Sequence, residues 1–194
     1  MSADKLVKEL ADKARVAART LVAADYKTRT NALLAIADAI IANTTAIEAA
    51  NSADMAREKS AGMSESLLDR LLLTAERIGG IADGARKVAA LPDPLNQVLR
   101  ERTLENGLHL KQVTVPFGVV GMVYEARPNV TVDAAVILLA SGNAALLRGS
   151  SSACESNAAL VKIMQDALSK TTISADVIQL IPSEDRESVR ALLH

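Results

Sequence analysis

The chain has little aromatic content. Its 194 residues include no Trp, one Phe and two Tyr. A core of stacked rings is excluded, and packing must come from Leu, Ile, Val and Ala, within an apolar fraction of 49%. The single cysteine, Cys154, excludes an internal disulfide and a multi-cysteine metal site, and no metal is expected. An excess of either cationic or anionic side chains is also missing, with 22 Lys and Arg against 23 Asp and Glu. A net charge of -1 lacks the basic excess of a nucleic-acid binder, so no nucleic-acid partner is expected. The longest apolar stretches are broken by Asp133 and by Ser141-Gly142-Asn143, so no membrane span is expected. The opening MSADKLVKEL lacks the apolar core of a secretory signal. The expectation is a soluble cytoplasmic protein of one domain, or one and a half.

The first ninety residues read as helices. Leu6, Leu10, Ala14, Ala17 and Leu21 recur at helical spacing, as do Leu33, Ala37, Ile40 and Ile41, and then Leu67, Leu68, Leu71, Leu72 and Ala75. Asn51 with Asp54, and Ser64 before Leu67, read as helix starts. Leu91-Pro-Asp-Pro94 is a helix stop, because proline has no amide and disfavours helix in the residue before it. Residues 97–115 alternate around Asn106-Gly107, a two-residue hairpin signal in which both central positions take positive φ. Polar on one face, this hairpin is not a buried element and is expected to meet a partner subunit.

From Pro116 onward the pattern is βαβαβα. A short buried strand is expected at Val119–Tyr124, and further strands at Ala144–Arg148 and Val177–Ile181. Helices are expected at Val130–Leu139, Ala153–Ser169 (with Ala158, Val161, Ile163, Met164 and Leu168 inward) and Ser183–Leu193, the last capped by Ser183 with Glu184 and Asp185 in its first turn. The fold class is α/β: N-terminal helices, a β-hairpin and an incomplete Rossmann-like parallel sheet of three βα units. The parts are 1–96, 97–115 and 116–194. Three strands are few for a doubly wound sheet, which suggests a chain cut short or one that finds further strands elsewhere.

Ligands of such sheets sit at the carboxyl ends of the strands. Three clusters fall there: Glu125-Ala-Arg-Pro-Asn129, Arg148-Gly-Ser-Ser-Ser152 and Pro182-Ser-Glu184. Arg148 lies where an adenosine ribose or its phosphate would sit. Gly149 lets the backbone approach, and Ser150, Ser151 and Ser152 offer hydroxyls and helix N-terminal amides to an anion. No acid follows Arg148 until Glu155, a pattern that admits a 2′-phosphate and favours NADP(H) over NAD. The alternative is a polar loop that caps a helix. Asn129 reads as an oxyanion donor or as a cap of the helix beginning at Val130. Arg127 reads as a ligand for a substrate carboxylate or phosphate, or as an ion pair with Glu125. Cys154 is placed like a nucleophile near a helix start. Neither His109 nor His194 lies near it in sequence, so a small buried hydrophobe is the better reading.

The segments VPFGVVGMVYEARPNVTVDAA and SGNAALLRGSSSACESNAALV, with GMSESLLDRLLLTAERIGGIADGARKVAALPDP upstream, resemble the γ-glutamyl phosphate reductase family. That family, also called glutamate-5-semialdehyde dehydrogenases, lies within the aldehyde dehydrogenase superfamily. The resemblance implies NADPH-dependent reduction of γ-glutamyl phosphate to the semialdehyde, with phosphate release, in proline synthesis. It covers the N-terminal half of the family pattern, so the catalytic domain with its nucleophilic cysteine is expected to be absent. Cys154 matches an ordinary helix position. Arg148 stands where the superfamily has a basic residue contacting the adenosine ribose, Asn129 resembles the oxyanion asparagine, and 97–115 resembles the strands that bridge subunits in a homo-oligomer. Ser150 departs from the glycine usual there. The alternative is an inactive NADP(H)-binding or self-associating half-protein.

Overall fold

The structure is a computed structural model that describes residues 2–183 and 187–193. Five helices fill the first part: α1 (Ala3–Ala23), α2 (Tyr26–Ala42), α3 (Thr44–Ser60), α4 (Glu65–Leu71) and α5 (Ala75–Ala89). Their starts are chemical. Ser2, Asp25 and Thr74 each accept an amide proton from the first turn of the helix they precede. Ser64 sits at the start of α4 as expected. Asn51 and Asp54 do not start a helix at their own place in the chain, because they lie inside α3 and are buried. The apolar set from Leu67 to Ala75 divides between two helices, and only Leu71 of it is buried. The break has a cause on α3. The Asn51 amide accepts from Leu73 N at 2.8 Å and donates to Leu71 O at 2.9 Å, giving the backbone partners outside a helix.

Helix α5 stops before Pro92 and Pro94. The proline loop is held from α2: Tyr26 Oη donates to Leu91 O at 2.7 Å and Arg29 pairs with Asp93 at 2.6 Å. Strands β1 (Val98–Thr103) and β2 (His109–Val113) form the antiparallel hairpin, exposed along both strands. Its turn is not the two-residue type. Leu104 N donates to Leu108 O, Gly107 N donates to Leu104 O, and Gly107 alone in the turn has positive φ, at 84°. That is a three-residue loop closed by a left-handed glycine. Asn106 instead uses its side chain, accepting from Leu108 N at 3.1 Å.

The parallel sheet has the order β3 (Val119–Val123), β4 (Ala144–Arg148), β5 (Ile178–Leu180), with α6 (Pro128–Ala140) and α7 (Cys154–Leu168) as crossovers. All five residues of β4 are buried, as befits the central strand. The expectation that β3 is a buried strand is corrected: it lies at the sheet edge and Val123 is 46% exposed. Helix α6 begins at Pro128 rather than Val130, with proline at its first turn, where a missing amide costs nothing. Along α7, Val161, Ile163, Met164 and Leu168 are buried as expected, and Ala158 faces solvent. Helix α8 (Glu187–Leu193) follows β5, while the expected first-turn acids Glu184 and Asp185 lie outside the described residues.

Leu21, Leu33, Ile36, Ile78, Leu139, Leu147, Leu160 and Met164 belong to one core, so residues 1–96 and 116–194 are packed together. On the other sheet face Leu146 packs with Val7 of α1, Ile181 and Leu192 of α8. The sheet is thus covered on both faces and opens at its strand ends, leaving the hairpin outside the core. Among the described residues no single helix is long and apolar enough to cross a membrane.

Candidate functional site

The carboxyl ends of β3 and β4 lie side by side, since Val123 pairs with Arg148 in the ladder. The two loops that follow therefore share one end of the sheet. From β3 the chain runs through Tyr124 and Glu125 to Arg127, the residue preceding α6. The Asn129 side chain does not cap that helix. It sits in the first turn, and its Nδ2 donates to Asp133 Oδ2 at 3.0 Å, one turn onward. One amide proton remains for another acceptor, and Asn129 lines an open groove of about 470 Å³ with Arg70, Arg77, Arg127 and Asp133. Arg127 makes the ion pair with Glu125 that the sequence allowed, at 3.2 Å and half-exposed.

The loop after β4 is arranged differently from its sequence reading. Arg148 is 9% exposed; its guanidinium donates to Gly149 O at 2.9 Å and to Ser188 Oγ of α8 at 3.4 Å. Gly149 makes way for the protein itself: a Cβ there would stand 2.2 Å from Asn157 Nδ2 and 3.0 Å from the Tyr124 ring. Gly149→Ala is expected to cost about 1–3 kcal/mol through overpacking, read by urea denaturation. Ser150 Oγ accepts from Ser152 N at 3.2 Å, and Ser151 is exposed.

Beneath Gly149 runs a polar chain. Tyr124 Oη and Thr131 Oγ1 are 2.7 Å apart, and Thr131 Oγ1 donates to Asn157 Oδ1 at 2.7 Å, joining the end of β3 to α6 and α7. Burial pushes the Tyr124 hydroxyl up to about 12, against an ordinary value of 10.0. Because the folded state holds this proton more tightly, the stabilisation is complete below about pH 10 and is lost as the pH rises towards 12. Denaturant titrations are expected to show a fall of about 2–3 kcal/mol over that window. Tyr124→Phe should remove that part of the alkaline loss.

Sequence reasoning missed the support on α3. Asp54, fully buried, accepts from Ser156 Oγ at 2.7 Å, from Ser156 N at 2.8 Å and from Glu155 N at 3.3 Å. It therefore caps α7 from a helix a hundred residues earlier. Arg57 pairs with Asp54 at 2.6 Å and donates to the carbonyls of Ser151 and Ser152 at 3.0 and 3.1 Å. An anion at the start of α7 would meet the Asp54 carboxylate, so those amides are not a phosphate cradle. Cys154 Sγ lies 3.7 Å from Asp54 Oδ1, and burial together with that carboxylate raises the thiol above its ordinary range. Such a thiol is a poor nucleophile, in keeping with the sequence reading.

The aldehyde dehydrogenase family model matches residues 1–194. A γ-glutamyl phosphate reductase of Thermobifida fusca is 48% identical over 187 residues, which cover 96% of this chain and 45% of that protein. The crystal structure of γ-glutamyl phosphate reductase from Thermotoga maritima superposes with a TM-score of 0.92 at 36% identity, over 95% of this chain and 44% of that one. That from Saccharomyces cerevisiae gives 0.87 at 34% identity, over 97% and 48%. The chain spans about half the length of these relatives.

Proposed function

The chain belongs to the aldehyde dehydrogenase family, and from that premise we propose that it serves the NADPH-dependent reduction of γ-glutamyl phosphate to glutamate-5-semialdehyde with release of phosphate. Family membership implies a nicotinamide cofactor. The likeness to γ-glutamyl phosphate reductases along nearly the whole chain carries the reading of the substrate.

The residues at the end of β4 suit the ribose end of the cofactor and not its pyrophosphate, because Asp54 already occupies the start of α7. Arg148, Gly149, Ser150 and Ser151 would hold that end. Arg148 brings a positive charge, and exposed Ser151 brings a hydroxyl. When bound, the cofactor supplies a hydride to the acyl carbon. The remaining work of this chain is binding and orientation. Asn129 offers its second amide proton to the oxygen that gains charge at the acyl carbon. Arg127 takes an anionic group of the substrate. No described residue suits the role of nucleophile: Cys154, the sole cysteine, is held against Asp54. The hairpin of 97–115, exposed on both strands, would bridge to a second subunit.

Calorimetric titration with NADPH and NADH tests the cofactor reading. NADPH is expected to bind about tenfold or more tightly, the worth of one charge-assisted contact. Arg148→Gln should remove most of that preference. Equal affinity of the unsubstituted protein for both nucleotides contradicts it.

A further inference from the structure

Arg77 and Arg70 line the same groove and are held in different ways. Arg77 is tied down by three hydrogen bonds, to Asp69 Oδ1 at 2.6 Å, to Leu72 O at 3.0 Å and to the Asp69 carbonyl. Arg70, from the last turn of α4, has among the described residues no hydrogen bond, and only Glu125 faces it as an ion-pair partner, at 3.9 Å. The other oxygen of that carboxylate faces Arg127 Nε at 3.2 Å. Two guanidinium groups from separate elements therefore flank one carboxylate. All three side chains are about half-exposed. Exposed ion pairs of this kind contribute little, so little is lost when the carboxylate leaves. A phosphoryl or carboxylate group offers two oxygens in the same arrangement and would suit both forks. Arg127 stands just before the first turn of α6, where the helix dipole also favours negative charge.

The geometry points to Arg70 and Arg127 as a two-armed clamp for an anionic oxygen group of the substrate, with Glu125 as the internal anion that fills the clamp until the substrate displaces it. The clamp opens on the groove that Asn129 lines. Arg70 becomes a binding residue and Glu125 a competitor that sets affinity. This rests on the reductase reading for the substrate's identity, and on the groove alone for its charge. The substrate has two such groups, a phosphoryl and a carboxylate, and kinetics separate them.

The test runs the reaction backwards on the protein as its gene encodes it, with NADP⁺, glutamate-5-semialdehyde and inorganic phosphate. Arg70→Gln is expected to raise one KM about tenfold with kcat changed less than about threefold, and Glu125→Gln to lower the same KM. A change in the KM for phosphate assigns the clamp to the phosphoryl group, and a change in the KM for the semialdehyde assigns it to the carboxylate. Both KM values staying within about twofold in both variants, or a loss of kcat alone, overturns the clamp. If the unsubstituted enzyme shows no turnover, the substrate reading fails by itself. The clamp is then judged by NMR of the arginine Nε–H signals during titration with inorganic phosphate and with glutarate. Saturating shifts at Arg70 and Arg127, tighter in Glu125→Gln, support it; no shift with either anion overturns it.

Discussion

Asn129→Ala is expected to lower kcat of the phosphate-dependent reaction by about 10²–10³, the usual loss when one oxyanion donor is removed. The KM values should change little, since the donor works on charge that grows after binding. The structure gives the amide a fixed aim. Its neighbour Asp133, one turn on in α6, accepts one proton at 3.0 Å, so the side chain cannot turn without breaking that bond. Asp133→Ala should then lower kcat by a smaller factor, because the donor stays and only its orientation is lost. Steady-state kinetics of the two variants check both. Equal kcat in Asn129→Ala and the parent removes the oxyanion role.

Asp54→Ala is expected to destabilise the fold by about 3 kcal/mol, read by chemical denaturation. Three donors of α7 end on this carboxylate, and the Ser156 hydroxyl and amide are buried with it. Removing it leaves them unsatisfied. Arg57 is partly exposed and can turn to solvent, so it adds less. Asp54→Asn keeps an acceptor and should cost less than half as much. Because Arg57 also holds the carbonyls of Ser151 and Ser152, the variant should weaken NADPH as well as the fold. A loss below about 0.5 kcal/mol would show that α7 does not depend on this cap.

The strand and helix pattern after Pro116 is legible because alternation and burial agree there: Ala144–Arg148 is found to the residue. Errors arise where a local signal serves a distant partner. Asn51 and Asp54 carry the chemistry of helix caps, and Asp54 does cap a helix, but that helix is α7, joined only by the tertiary fold. Asn51 likewise ties Leu71 and Leu73, which is why one apolar stripe became two helices. Gly149 stands out in the sequence as a place where a ligand could come close to the backbone, whereas the groups packed against it are Asn157 and Tyr124 of the protein itself. Asn106-Gly107 marked the hairpin but not its turn, since Asn106 uses its side chain and leaves positive φ to Gly107. Arg127 and Asn129 were legible as candidates. Arg70 was not, because a lone arginine in a short amphipathic helix has no pattern to set it apart from a solvated face.

The most direct test of the account is the rate of NADP⁺ reduction by glutamate-5-semialdehyde, with and without inorganic phosphate, for the protein as its gene encodes it. The account predicts turnover that requires phosphate and is faster with NADP⁺ than with NAD⁺. No turnover, or a rate indifferent to phosphate, would contradict it.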